Sequence, residues 1–441
     1  MTDFFQNQIA SALGSDIPPG PAVQMEGTAH HQSCFAVSDL ATASVAVATS
    51  ELAALLGTTD AILDRRLASL WFAKTIQPVG WEMAPRWDPI AGAYRTNDGW
   101  IRLHTNAPLH RKAALSVLDC APEASAVKAA VATSNATALE SAIVAAGGAA
   151  AEMRALDDWQ AHEQGRAVAK EPLIAWDHTN AEPDAKPLAD VRILDLTRIL
   201  AGPVCTRFLA GFGAQVLRLD PPWWNEPSLE PEVTIGKRRA GLDLSNSEDR
   251  KIFENLLAKA DVLVTGYRPG ALAAKGYDTA TRRKIAPNLI EVSLNAFGHT
   301  GPWRKRRGFD SLVQMSAGIA HEGMIRIGGD RPHPLPVQAL DHATGYFMAA
   351  AVLRALRRRN QTGQITSARL SLARTAKLLS GAGTRDIAGD PMQPKDADFD
   401  CEIEATDWGT AKRLRFPVRI DGQGPVWTHT AGSLRVDAAK W

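Results

Sequence analysis

From residue 188 onward the chain alternates short apolar runs with helical stretches, and this alternation limits the fold more than any other feature. VRILDL (191–196) is a short apolar run, AGPVCTRFLAGFGA (201–214) is helical and AQVLRLD (214–220) is apolar again, which makes one strand–helix–strand unit. The unit repeats in RAGLDLS (239–245), the helix SEDRKIFENLLAKA (247–260), opened by a Ser cap with acids in its first turn, and DVLVTGY (261–267). LIEVSLNAF (289–297) supplies a further strand. Strands that are apolar throughout and joined by crossover helices predict an α/β fold with a doubly wound, mainly parallel sheet covered on both faces. Such sheets take ligands at the carboxyl ends of their strands, near a helix N-terminus. The glycines after the first run, Gly202, Gly211 and Gly213, do not form GxGxxG, and no GxxxxGK[ST] occurs. Nicotinamide-dependent hydride transfer and P-loop phosphoryl transfer therefore lose support.

Composition excludes further classes. The 441 residues carry a net charge of +1, so no global field draws nucleic acid or anionic lipid. Hydrophobic residues at 45% and charged residues at 22% describe an ordinary globular chain. The first residues lack a basic stretch followed by an apolar one, and no run of about eighteen apolar residues occurs, which predicts a soluble, cytoplasmic protein without a membrane partner. Cys34, Cys120, Cys205 and Cys401 lack CxxC spacing and read as buried free thiols. His30 and His31 have no third ligand at suitable spacing and read as a surface pair, so no metal site is expected.

The segment 181–187, Ala-Glu-Pro-Asp-Ala-Lys-Pro, reads as a linker between residues 1–180 and a core of 188–380, with 381–441 as a C-terminal segment packing back on that core. Within the first part, Asn97-Asp98-Gly99 between two runs with Tyr, Trp, Ile and Leu predicts a hairpin. Residues 121–155 are alanine-rich and helical, so a small mixed α/β unit is expected there. In the last part, TDWGTAKRLRFPVRIDG (406–422) is strand-like, and Trp408, Trp427 and Trp441 offer apolar contacts. Two basic runs, Lys237-Arg238-Arg239 and Arg304-Lys305-Arg306-Arg307, are either solvated faces or holders of a phosphorylated ligand. A third, Arg357-Arg358-Arg359, follows a long apolar helix (343–356) and reads as the charge complement of its C-terminus.

Taken together, residues 188–380 resemble the family III CoA-transferases, the group that includes formyl-CoA transferase, and the related α-methylacyl-CoA racemases. LDLTRILAGPVCTRFLAGFGAQVLRLDPP (194–222), GKRRAGLDLS (236–245), ADVLVTGYRPGALAAKGY (260–277), LIEVSLNAFGHTGPWRKRRGFD (289–310) and TGQITSARLSLARTA (362–376) carry the resemblance, in the family's order. It implies a Rossmann-like CoA-binding fold, acyl-CoA and a carboxylic acid as substrates, no permanently bound cofactor, and interlocked homodimers. It further implies that Asp341, in PVQALDHATGY (336–346), is the covalent nucleophile. Asp suits this role because its reference pKa near ~3.9 leaves it ionised at pH 7. Read from the residues alone, Asp341 is a helix N-cap, with the helix starting near His342; the two roles are compatible. CoA contacts implied by the family are Ile199, Leu200, Lys237, Arg238, the loop Gly266, Tyr267, Arg268, Pro269, Gly270 and Ala271, and Arg307.

Departures qualify the resemblance. Leu200 stands where formyl-CoA transferase has a glutamine, which disfavours an oxalate-type acceptor. Phe309 in Gly308-Phe309-Asp310 stands where the racemases have a general-base histidine, and a phenyl ring cannot move a proton. AYRTNDGWIRL (93–103) and AAGGAAAEMRALDDWQAHEQGR (145–166) resemble the family's small domain, which normally follows the nucleophile and here precedes it. The order suggests two incomplete halves fused into a pseudo-dimer. Asp39-Leu40-Ala41-Thr42-Ala43 echoes Asp341-His342-Ala343-Thr344-Gly345, with Asp39 as a vestige. Three readings stand: a CoA-transferase, an acyl-CoA racemase, epimerase or isomerase with another second base, and a catalytically silent CoA-binding or assembly subunit. Gly147-Gly148 and Gly328-Gly329 are backbone candidates for stabilising an oxyanion, or ordinary turns.

Overall fold

The computed structural model describes residues 1–180 and 184–441, so residues 181–183 of the segment read as a linker lie outside the described residues. Among the described residues seven strands form the main sheet: β1 (Ala175–Asn180), β2 (Arg192–Leu196), β3 (Gln215–Asp220), β4 (Arg238–Gly241), β5 (Val262–Thr265), β6 (Ile290–Asn295) and β7 (Gln364–Ser371). Their spatial order is β4-β3-β2-β5-β6-β7-β1, parallel except for β1, which runs antiparallel to β7 at one edge. Alternate residues of a strand enter different cores. Ile193, Val262 and Val264 share one with the helices Ala201–Gly211 and Ala339–Thr362. Leu194, Leu217 and Leu263 share the other with Phe253, Leu256 and Leu257 of the helix Ser247–Ala258. Both faces are thus covered, which is why the strands read as continuously apolar.

Strand order reverses between β2 and β5, so the chain leaves their carboxyl ends in opposite directions. A crevice opens at such a switch point, and ligands of doubly wound sheets bind there. The loops that enter it are Thr197–Leu200 after β2 and Gly266–Ala271 after β5.

The first 180 residues fall into two parts. The helix Val37–Leu56 is long and apolar enough by composition to cross a membrane, yet it is mostly buried and packs against Ala339–Thr362. The smaller part is the expected hairpin, Gly92–Arg95 with Trp100–Leu103, joined by Ala150–Glu152 as a third strand. Its own core includes Ile101, Leu103, Val127, Val131 and Ile143. The C-terminal segment pairs with strands of this N-terminal region: Gly409–Leu414 lies beside Ile76–Pro78, and Val418–Ile420 beside Ala61–Asp64. Trp427 stacks on Trp71, Trp408 on Trp81, and Trp441 packs against the second core.

Several local expectations are corrected. Asn246, not Ser247, caps the Ser247–Ala258 helix, accepting from the N–H groups of Glu248 and Asp249 at 2.8 and 3.3 Å. Ala339–Thr362 begins before Asp341, with Gln338 at its N-cap, so Asp341 belongs to the first turn. Arg357, Arg358 and Arg359, read as the charge complement of the helix C-terminus, are buried, and each meets an acid from another part of the chain: Glu51 at 2.6 Å, Asp16 at 2.6 Å and Asp261 at 3.0 Å. His31 is also buried, its Nε2 against the Ser69 carbonyl at 3.0 Å, so it forms no surface pair with His30. Of the free cysteines, Cys34 and Cys205 are buried, Cys120 is half-buried and Cys401 is exposed.

Gly345 marks where Ala339–Thr362 crosses Ala201–Gly211. A Cβ there would lie 2.4 Å from the Ala201 carbonyl oxygen, and backbone cannot swing away. Gly345→Ala should cost about 1–3 kcal/mol as overpacking does, read as a lower denaturant midpoint. An unchanged midpoint would show that the two helices do not depend on this close approach.

Candidate active site at the sheet switch point

Asp341 is held in place by a second aspartate. The first N–H groups of a helix have no partner within it, and Gln338 gives no side-chain cap. Asp310, fully buried, takes that place: its Oδ2 accepts from the Asp341 N–H at 2.9 Å. Gln314 Nε2 donates to the other oxygen of Asp310, and Gln314 Oε1 accepts from the Leu335 N–H at 2.7 Å. Among the described residues the Asp341 side chain has neither a hydrogen bond nor an ion pair, and its carboxyl lines a cavity of about 50 Å³. Burial first, and the Asp310 charge second, push this carboxyl well above the usual carboxylate range, against the pull of Arg86.

The cavity has walls from both ends of the chain. Ile199, Leu200, Leu229, Phe309 and Gln338 come from the sheet half, and Arg86, Trp87, His104 and Asn106 from the N-terminal region. Ile199 adopts φ +67°, a strained conformation for a β-branched residue. Its N–H is held by Glu226 Oε2 at 2.9 Å, and Glu226 is itself paired with buried Arg218. The His104 ring lies on the Phe309 ring, centroids 3.7 Å apart and planes 10° from parallel. Burial, followed by His110 and Arg102, pulls His104 down to about 3, so its imidazole is neutral at pH 7.

The other residues implied by resemblance divide into two groups. Gly266–Ala271 leaves β5 beside Thr197, the Gly266 N–H reaching the Leu196 carbonyl at 3.4 Å. Tyr267 shares Arg198 with Trp223 and Trp224, the guanidinium 4.9, 5.1 and 4.4 Å from the three rings. Arg268 and Arg307 approach one another closely enough that each guanidinium weighs on His110, which burial and these charges lower to about 4. Arg307 also donates to the Gly147 carbonyl of the small unit. Like charges that act on one another in this way suit an anion such as a phosphate.

Lys237 and Arg238 are elsewhere. Lys237 is fully buried, its Nζ 3.1 Å from Asp195 Oδ2 and 3.0 Å from the Pro203 carbonyl. Burial pulls its ammonium down to about 8 against the opposing pull of Asp195. It faces no surface that a phosphate reaches. Arg238 donates to the Ala438 carbonyl at 3.1 Å and ties down the C-terminal segment. Asp39 accepts from Thr2 at 2.7 Å and pairs with Arg385 at 3.3 Å, so unlike Asp341 its carboxyl is engaged.

Residues 188–400 match the profile of CoA-transferase family III. In this segment the chain is similar to CoA-transferase family III. Among curated relatives, an acyl-CoA transferase of Fusarium pseudograminearum is 32% identical over 42% of this chain and 45% of its own length. The succinyl-CoA:glutarate CoA-transferase of Mus musculus is 34% identical over 41% of this chain and 44% of its own. The succinyl-CoA–L-malate CoA-transferase beta subunit of Chloroflexus aurantiacus is 33% identical over 40% of this chain and 47% of its own. The chain thus spans about half the length of the curated relatives it matches. The matched segment contains the main sheet except β1, together with Asp310 and Asp341. Arg86, Trp87, His104 and Asn106 lie outside it.

Sequence reasoning passed over Asp310, His104, Arg86 and Arg198. Asp310 adjoins Phe309, but nothing in its spacing shows that it caps a distant helix. His104 follows the hairpin by one residue, and only the tertiary fold brings it to Phe309.

The buried ion pair offers a test of where CoA binds. Lys237→Met leaves Asp195 buried without its cation and should cost about 3–5 kcal/mol, while CoA affinity in the folded variant stays unchanged. Unaltered unfolding with weakened CoA titration would instead return Lys237 to the binding surface.

Proposed function

We propose that the chain is an acyl-CoA:carboxylate CoA-transferase, cytoplasmic, with Asp341 as its covalent nucleophile. The observation that carries the reading is a buried, unpaired carboxyl at a helix N-terminus, lining a cavity at the switch point of a doubly wound sheet. The family III segment and the Arg268–Arg307 cluster support it. In the first step the Asp341 carboxylate attacks the thioester carbonyl and the C–S bond breaks, giving an aspartyl mixed anhydride and CoA thiolate. The thiolate then attacks the Asp341 carbonyl, forming an enzyme thioester and releasing the donor acid. An acceptor carboxylate attacks that thioester, and return of the thiolate to the acyl carbonyl of the new anhydride yields the new acyl-CoA and free Asp341. Each step exchanges one acyl bond for another, so neither water nor a redox partner enters.

Helix geometry helps Asp341 at this task. The positive end of the helix favours its charged form, while burial and Asp310 oppose ionisation. The names of two relatives make succinyl-CoA the first donor to examine. The N-terminal region, in this reading, supplies in the same chain the small-domain wall that the resemblance leads one to expect from a fused pseudo-dimer.

Intact-protein mass spectrometry tests the reading directly. Wild type incubated with succinyl-, acetyl- and propionyl-CoA should acquire a hydroxylamine-sensitive adduct with at least one donor, and Asp341→Asn should acquire none. An adduct that persists in Asp341→Asn, or none in wild type despite measurable CoA binding, overturns it; the latter result points to a silent CoA-binding subunit.

Acylation also has a predictable pH dependence. Only ionised Asp341 attacks, so the rate should fall as pH drops through its raised pKa. Removing the neighbouring negative charge with Asp310→Asn lowers that pKa and should move the acid limb of the single-turnover rate to lower pH. An unmoved limb would mean that Asp341 does not sense Asp310.

A further inference from the structure

Any acyl carbonyl that Asp341 attacks must enter the cavity it lines, and its oxygen gains negative charge as the new bond forms. A donor fixed before the reaction stabilises that charge most effectively. Asn106 does not qualify, because its amide is engaged at both ends: Nδ2 donates to the Arg86 carbonyl at 2.8 Å and Oδ1 accepts from the Asp88 N–H at 3.1 Å. Arg86 carries a full charge that already acts on the Asp341 carboxyl. His104 is placed differently. It is 6% exposed, its ring is stacked on Phe309 and meets Trp87 edge-on at 5.8 Å, so its orientation is set by packing.

The two ring nitrogens of His104 are not equivalent. Nδ1 is sealed from solvent with no partner among the described residues. Nε2 has no hydrogen-bond partner among the described residues either, and is the nitrogen left to meet the cavity that His104 lines. A buried N–H without an acceptor is rarer in proteins than an under-satisfied acceptor. The ring proton of the neutral imidazole therefore belongs on Nε2. Such a nitrogen can donate a hydrogen bond and has no lone pair with which to take a proton from substrate.

We propose that His104, carried by the N-terminal region onto the face of Phe309, donates a hydrogen bond from Nε2 to the acyl oxygen as Asp341 attacks. This assignment rests on the transferase reading above and names the missing oxyanion donor. It gives the imidazole a role distinct from that of a second base, although it lines the same cavity as the carboxylate and stacks on Phe309.

The test uses the full chain, succinyl-, acetyl- and propionyl-CoA, and two variants. His104→Ala should slow single-turnover adduct formation by about 10²–10³-fold, and His104→Gln, which keeps an N–H donor, should recover part of that rate. Both variants should bind free CoA as wild type does and melt at comparable temperatures. Wild type should incorporate no solvent deuterium at the acyl α-carbon. Adduct formation in His104→Ala at the wild-type rate overturns the assignment while leaving the transferase reading intact. So does equal loss in both variants with weakened CoA binding, the mark of a structural role. Deuterium incorporation that disappears in His104→Ala would make the residue a base instead. Failure of wild type to form any adduct overturns the transferase reading and this assignment with it.

Discussion

Glu51 is buried between two arginines of the Asp341 helix, Arg354 at 3.4 Å and Arg357 at 2.6 Å, and the union of the two ends of the chain depends on that contact. Burying a carboxylate in an apolar core is unfavourable unless cations and hydrogen bonds compensate it. Here the compensation comes from arginines 303 and 306 residues away, so the charges are satisfied only when Val37–Leu56 lies against Ala339–Thr362. Arg354 also takes the carbonyls of Gly14 and Ile17 at 2.7 and 2.6 Å, which fixes the segment leading into that packing. A purely apolar helix pair would slide more freely; the buried charges specify one register.

The cavity depends on that register. At its other wall, Arg306 pairs with Glu140 at 2.8 Å and donates to the Ala150 carbonyl at 2.8 Å, docking the small unit on the loop after β6. Arg154 reaches the same Glu140 at 2.7 Å. Arg86, Trp87, His104 and Asn106 are thereby suspended over Asp341, while Ile199 is held in its strained conformation from below. Strain, buried acids and a shifted histidine all gather at the switch point, where a doubly wound sheet leaves its crevice. Such concentration of unfavourable local features is characteristic of sites whose geometry serves chemistry rather than stability.

What could be read from sequence was whatever local pattern determines. The strand–helix alternation of 191–297 was legible because apolar runs and crossover helices are local, and the Asn97–Gly99 turn because its residue types dictate it. Gly345 and Asp341 were visible as a motif. Long-range partnership was not legible. Arg357, Arg358 and Arg359 look like the charge complement of a helix end until Glu51, Asp16 and Asp261 are seen beside them. Lys237 looks like a phosphate ligand until Asp195 is found beneath it. His104 carries no motif, because its significance lies in a ring it meets across the fold. In each case the side chain's meaning is set by a partner far away in sequence, which neither periodicity nor spacing encodes.

The cavity walls are joined by covalent chain rather than by association. A site assembled from two polypeptides is complete only to the extent that mass action keeps them together, so its occupancy falls with dilution. Here the small unit is tethered to the sheet it covers, and its effective concentration there is set by the chain. The fraction of molecules with Arg86 and His104 over Asp341 is accordingly independent of protein concentration.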